Sequence, residues 1–198
     1  MNKVIWVFLI SVTIVGCGKK ARYERLVERE LTSGVRYDSL FFGIYLGMTS
    51  KDFYTHCWEL NKKGLIRQGS SNLSVVYDLK DMKHAAKMNF YPTFLEDKIY
   101  EMPVRFQYDA WAPWNKHLQS DSLQLDVLNL LEGWYGEDFM EVKHPVHGSA
   151  FVKVDGNRRI SIFTQGSAEV FAVFTDMSMD ELADEKRIIS KDEQAVND

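Results

Sequence analysis

The chain has 198 residues, of which 45% are hydrophobic and 13% aromatic, and it carries a formal charge of -4. That is enough apolar material for a proper core. The balance gives no reason to expect nucleic-acid binding, for which a basic stripe is required, and membrane attachment has to come from something other than a surplus of cations.

The first element is a hydrophobic run. Lys3 supplies a positive start, residues 4–15 are almost wholly apolar, and Gly16 precedes Cys17, which is the layout of a secretory signal peptide. As a helix, residues 4–15 would reach roughly 18 Å at 1.5 Å per residue, short of the roughly 30 Å hydrocarbon core of a bilayer. The run is therefore a poor permanent span.

Residues Ile14-Val15-Gly16-Cys17 resemble the lipobox of bacterial lipoproteins. The resemblance implies cleavage before Cys17, a diacylglyceryl group on its sulfur, and acylation of its freed amine by a palmitate-type chain. Residues 1–16 are then a signal peptide and Cys17 is the lipidation site; an uncleaved anchor and a core cysteine are the alternatives. Each buried methylene contributes about 0.8 kcal/mol, so two long acyl chains hold a protein on a membrane where one does not. With Cys17 lipidated, Cys57 has no intrachain partner and the fold is no disulfide scaffold. Gly18 and Lys19 lack the aspartate that resembles an inner-membrane retention signal, and no acidic cluster marks surface export. An outer-membrane location facing the periplasm follows, with the inner membrane or the cell surface as alternatives.

Residues 17–39 mix Arg, Lys and Glu, as in "KKARYERLVERELTSG", and read as a tether, in part helical. A first unit is expected over 40–110. Thr49 followed by Asp52 makes a capping-box-like start, Phe53, Cys57 and Leu60 recur at helical spacing, and Gly64-Leu65 forms a Schellman-type stop, so the spacing predicts a helix over 50–63. β-type runs follow: "LIRQ", "LSVVYDL", "AAKMNFY" and, after a turn containing Pro92, "KIYEMPVRFQY". Pro103 in the last run argues for an edge position or a bulge.

The aromatic stretch 111–119 links this unit to a second one expected over 120–177. Ser120 and Asp121 open a helix whose stripe is Leu123, Val127, Leu130, Leu131 and Trp134, closed by Gly136. Strand-like "FMEVKH", "SAFVKVD", "RRISIFT" and "AEVFAVFTD" come next, and Asp155-Gly156-Asn157 marks a tight hairpin. A last helix is expected from Ser178, with Ser178 and Glu181 as a capping box, leading into a polar tail; together these make up 178–198. Helix starts about seventy residues apart suggest two copies of a helix followed by an antiparallel meander, with two unrelated α+β halves as the alternative. The expected fold is α+β, with helices packed on one face of the sheet.

The element Leu46-Gly47-Met48-Thr49, leading into a helix and then a meander, resembles the small outer-membrane lipoproteins of the β-barrel assembly machinery. Tandem copies of such a unit resemble the β-lactamase inhibitor protein family, whose sheet grips its target. The chain is longer than the former and lacks the paired cysteines of the latter.

Catalytic signatures are absent: there is no Gly-x-Ser-x-Gly, P-loop or Gly-x-Gly-x-x-Gly. Of five histidines only His144 and His147 lie close together, without further ligands for zinc, and a turn is the simpler reading. His56 and Cys57 are helical neighbours that point apart, and the apolar surroundings of Cys57 favour a buried inert thiol. Glu96-Asp97 and Glu137-Asp138 read as solvated turn charges. No metal or cofactor is expected, nor a catalytic role.

The expected function is a non-enzymatic, lipid-anchored envelope protein that binds another envelope protein through an open sheet face or the aromatic linker. The alternative is a binder of a small molecule or glycan in a cleft between the units. Trp111, Trp114 and Tyr108 are the partner-binding candidates, weighed against Trp111 and Trp114 simply covering the seam. A deep pocket would favour a ligand and a broad flat patch a protein.

Overall fold

The computed structural model describes residues 18–70, 74–80, 82–144 and 148–186. The expected leader, Cys17 itself and the tail beyond 186 lie outside the described residues.

The fold is α+β. Among the described residues the strands are β1 (Arg67–Gln68), β2 (Val75–Leu79), β3 (Ala86–Phe90), β4 (Thr93–Leu95), β5 (Lys98–Tyr108), β6 (Met140–His144), β7 (Gly148–Asp155), β8 (Arg158–Gln165) and β9 (Glu169–Asp176). They form one antiparallel sheet in the order β1-β2-β3-β5-β9-β8-β7-β6, with β4 paired to β5 off that path. The helices are α1 (Gly18–Thr32), α2 (Ser50–Lys62) and α3 (Ser120–Tyr135). A short 3-10 turn over Met177–Met179, capped by the Asp176 side chain accepting from Ser178 N, leads into a last helical stretch at 180–186.

Local chemistry explains α2 and α3. Thr49 caps α2 by accepting from the backbone of Asp52, and beyond the helix Leu65 N donates to Leu60 O while Gly64 sits at φ +69°, the Schellman geometry. In α3, Leu123, Val127 and Leu131 are buried on one stripe, whereas Trp134 at its end is 39% exposed, beside Phe41. Gln124 on the same buried face is satisfied by the carbonyls of Ser149 and Ile162.

α2 and α3 share one core with one face of the sheet. Alternation directs Met88 and Phe90 of β3, Val104 and Phe106 of β5, Ala172 and Phe174 of β9, and Ile160 and Ile162 of β8 into it, together with Phe53 and Leu123 from the helices. A bulge supports this near the start of β5. Phe94 pairs with Ile99 but Thr93 with Glu101, so Tyr100 is left over and Ile99 and Met102, three apart, are both buried. β4, which sequence pattern alone reads as turn, closes onto β5 through Glu96-Asp97, at φ +49° and +62°, a two-residue turn of the primed kind.

Pro103 is not at an edge: β5 is central and Pro103 pairs with Val173 of β9. On its other side neither β3, which reaches Val104, nor β4, which begins opposite Glu101, has a residue in register with it. The missing N–H therefore costs no ladder bond.

The helices do not all lie on one face. α1 packs Tyr23, Leu26 and Val27 on Met140, Val142, Val152 and Val154, which point away from α3. The cause is β7, whose Val152 and Val154 make its second face apolar as well. Nor is the expected tether free of the body. After α1 the chain crosses the Gly156-Asn157 hairpin turn, where Tyr37 N donates to Asn157 Oδ1 at 2.7 Å and Asn157 Nδ2 to Asp38 Oδ1 at 3.0 Å. Arg36 reaches Asp176 at 2.7 Å, and Arg158 donates to the carbonyl of Ser39 at 2.6 Å. Burial alone would raise the Asp176 carboxyl, but hydrogen bonds from Ser178, Arg36 and Asn157 outweigh it and hold the group below the ordinary carboxylate range.

Candidate functional site: a groove on the second sheet face

The strand register that fills the core also builds the opposite face. Ala150, Val152 and Val154 of β7 stand opposite Phe163, Ser161 and Arg159 of β8, which in turn stand opposite Phe171, Val173 and Thr175 of β9. The rows continue onto β5 at Arg105, Pro103 and Glu101. At the other edge Val142 of β6 pairs with Ala150 and Met140 with Val152. Phe163 and Phe171 lie stacked, ring centroids 6.0 Å apart and 11° from parallel.

α1 covers only the β6–β7 end of this face. Between its first turns and the sheet lies a groove of about 1010 Å³, to which α1 contributes Gly18, Lys20 and Tyr23. Its floor is apolar, formed by Val142, Ala150, Val152, Phe163 and Val173, with Ser161 and Thr175 the hydroxyls. Lys20, Lys143 and Arg159 bring three cations to it against the one carboxylate of Glu101, and Arg159 also lies 3.6 Å from Asp180. A second cavity of about 890 Å³ lies between α1 and β6–β7, where Arg22, Arg25 and Arg29 face acidic groups such as Glu30, Asp138 and Asp155.

The residues singled out from sequence do not converge on the groove. Tyr108 belongs to the core: it is 2% exposed and its hydroxyl donates to Asp126 at 2.6 Å. Burial, together with the Asp126 carboxylate, raises its pKa beyond the usual phenol range. Tyr108 is therefore not presented on the surface of this fold. Trp111 is half-buried against the same core and donates its indole N–H to the carbonyl of Ser167, as a seam cover would. Trp114 is 84% exposed. Cys17 is outside the described residues, but Gly18, its neighbour in the chain, lines the groove.

The other reactive types have structural roles. Burial pushes the Cys57 thiol up to about 11. His56 meets the carbonyl of Phe42 at 2.6 Å, and Glu137 accepts from the buried Lys153 through its backbone carbonyl. His144 ends β6, and His147 falls outside the described residues. Among the described residues no group of three or more His, Cys, Asp or Glu could hold a metal ion, and no helix is long and apolar enough to cross a membrane.

Sequence pattern points to an open face but not to Tyr23, Val142, Val152, Phe163 and Val173 as its lining. One signal was there: Val170-Phe171-Ala172-Val173-Phe174 is an unbroken apolar run, which marks a strand apolar on both faces. No family model, curated protein or solved structure matches the chain.

Proposed function

We propose that the chain is a non-enzymatic, lipid-anchored protein of a bacterial envelope, held through diacylglyceryl on Cys17 at the periplasmic leaflet of the outer membrane, and that the second face of its sheet binds an apolar ligand. The observation that carries the binding part is the groove: a concave, apolar-floored space of about 1010 Å³ with a few polar and cationic groups around it, in the size range of ligand pockets, roughly 300–1,000 Å³. A flat patch would have favoured a protein partner; this surface is hollow. The resemblance at Ile14-Val15-Gly16-Cys17 carries the anchor. The engaged state of His56 and the raised Cys57 thiol favour a role without catalysis.

A build from two helix-meander units belongs to the same proposal. The strand order supports it, since β5 and β9, the last strand of each expected unit, meet at the middle of the sheet and the remaining strands run outward from them. The groove spans that junction, from Glu101 of β5 to Val142 of β6.

A protein partner at the linker is the second reading, favoured by the bare indole of Trp114. One experiment separates the two. The photoreactive analogue p-benzoylphenylalanine is placed at Phe163 or at Trp114, and intact cells are irradiated. The groove reading expects a non-protein adduct from position 163 and no discrete protein adduct from 114. A protein adduct at 114 with nothing at 163 would overturn it in favour of the linker.

A further inference from the structure

The groove has an unusual neighbour. Gly18 forms part of its wall, and consecutive Cα atoms lie about 3.8 Å apart across a trans peptide, so whatever hangs from Cys17 starts within one residue of the opening. We propose that the groove is a seat for one of the acyl chains carried by Cys17 of the same molecule. The proposal deepens the ligand reading above and rests on it, and on the lipidation of Cys17.

Three features of the site fit an acyl chain. Val142, Ala150, Val152, Phe163 and Val173 give the floor an apolar track of the kind a chain of methylenes requires, with Ser161 on it and the charges of Arg159 and Glu101 beside it. From β6 to β9, the strands that supply the apolar floor, the face crosses three steps, about 14 Å at roughly 4.8 Å per step, close to the roughly 15 Å that one leaflet's chains occupy in a 30 Å hydrocarbon core. Lys20, two residues beyond Gly18, lines the groove beside the start of the chain and carries N–H donors for an ester carbonyl there, while also lying 3.8 Å from Glu24.

The physics also says when the seat is used. Both groove and bilayer remove methylenes from water, so a bilayer within reach competes with the groove for the chain. Away from a bilayer only the groove is left, and it shelters a chain that would otherwise drive self-association. The apolar face, which α1 leaves open, is covered in the same step.

The test labels the anchor itself. Producing cells are grown on a fatty acid with a terminal diazirine, and the full-length product, processed as the cell processes it, is purified, freed of detergent, irradiated and digested for mass spectrometry. The expected result is label on the peptide beginning at Cys17, cross-linked within the same chain to peptides carrying residues 150–163 or 173. An Ala150→Trp variant, which fills the groove, should lose that cross-link several-fold. Label on Cys17 with cross-links only to other surfaces, or only between chains in a mixture with isotope-labelled protein, overturns the seat and leaves lipidation standing. Absence of label from Cys17 overturns both. The wild-type cross-link map decides the matter even if Ala150→Trp fails to fold.

Discussion

Two glycines in this chain should respond to alanine with opposite signs. Gly156 sits in the β7–β8 turn at φ +53°, and a Cβ placed there would come within 2.2 Å of the carbonyl oxygen of Val35, a backbone atom that cannot swing aside. Left-handed backbone costs a residue with a side chain about 1–2 kcal/mol. Moving the 35–38 segment away to admit the methyl sacrifices the two Asn157 hydrogen bonds to Tyr37 and Asp38, at about 1 kcal/mol each. The total is about 3 kcal/mol, or roughly 6–12 °C in Tm for a chain of this size. Gly133 lies inside α3 with nothing within 4 Å of its missing Cβ, and Gly133→Ala should raise Tm by roughly 2–4 °C, from about 1 kcal/mol of helix propensity. Thermal unfolding of both variants beside the wild type in one detergent, with hydrogen exchange at the amides of 35–38, makes the measurement. Gly156→Ala melting with the wild type and keeping those amides protected would refute the claim that this segment is clamped to the turn.

Other consequences can be read from single side chains. Tyr108→Phe strips Asp126 of its phenol partner and should cost about 1–2 kcal/mol in urea unfolding, without altering the adduct from position 163. The Asp176 carboxyl titrates lower in the fold than in the unfolded chain, so its contribution is complete above the unfolded value of about 3.9 and fades as pH falls through the folded one. Asp176→Asn should therefore be less stable at neutral pH and lose less on acidification, as unfolding series from pH 7 to pH 2.5 would read out. With its thiol raised from 9.0 to about 11, Cys57 should alkylate about a hundredfold more slowly in the native protein at pH 8 than after denaturation; equal rates would contradict its burial. Trp114→Ala, at an 84% exposed position, should leave stability within about 0.5 kcal/mol of the wild type by the same unfolding assay.

What the sequence reveals here is what is local. The Thr49 cap, the Gly64 stop and the 155–157 hairpin each depend on a few neighbouring residues whose φ preferences and side-chain reach are intrinsic, and each forms as the pattern predicts. β4 is hidden because three residues between Pro92 and a two-residue turn carry too little periodicity. α1 is disguised by its charge: Arg and Glu outnumber the three apolar residues that reach the sheet, and the need for them becomes visible only once β7 is known to be apolar on both faces. Pairing of β5 with β9, more than sixty residues apart, has no local signature, and it is what brings Glu101 to the groove. Tyr108 misled for a related reason, since alternation identifies a buried face without saying which polar group, here Asp126, lies on it.

The anchor and the acyl seat both begin at Cys17, and intact-mass and amino-terminal peptide spectrometry of the protein purified from its own envelope examines that residue directly. The account predicts a mature chain that lacks residues 1–16, starts at Cys17 and is heavier by a diacylglyceryl group, with or without a further acyl chain on the amine. A product that still starts at Met1, or that presents Cys17 with a free sulfur, would contradict it.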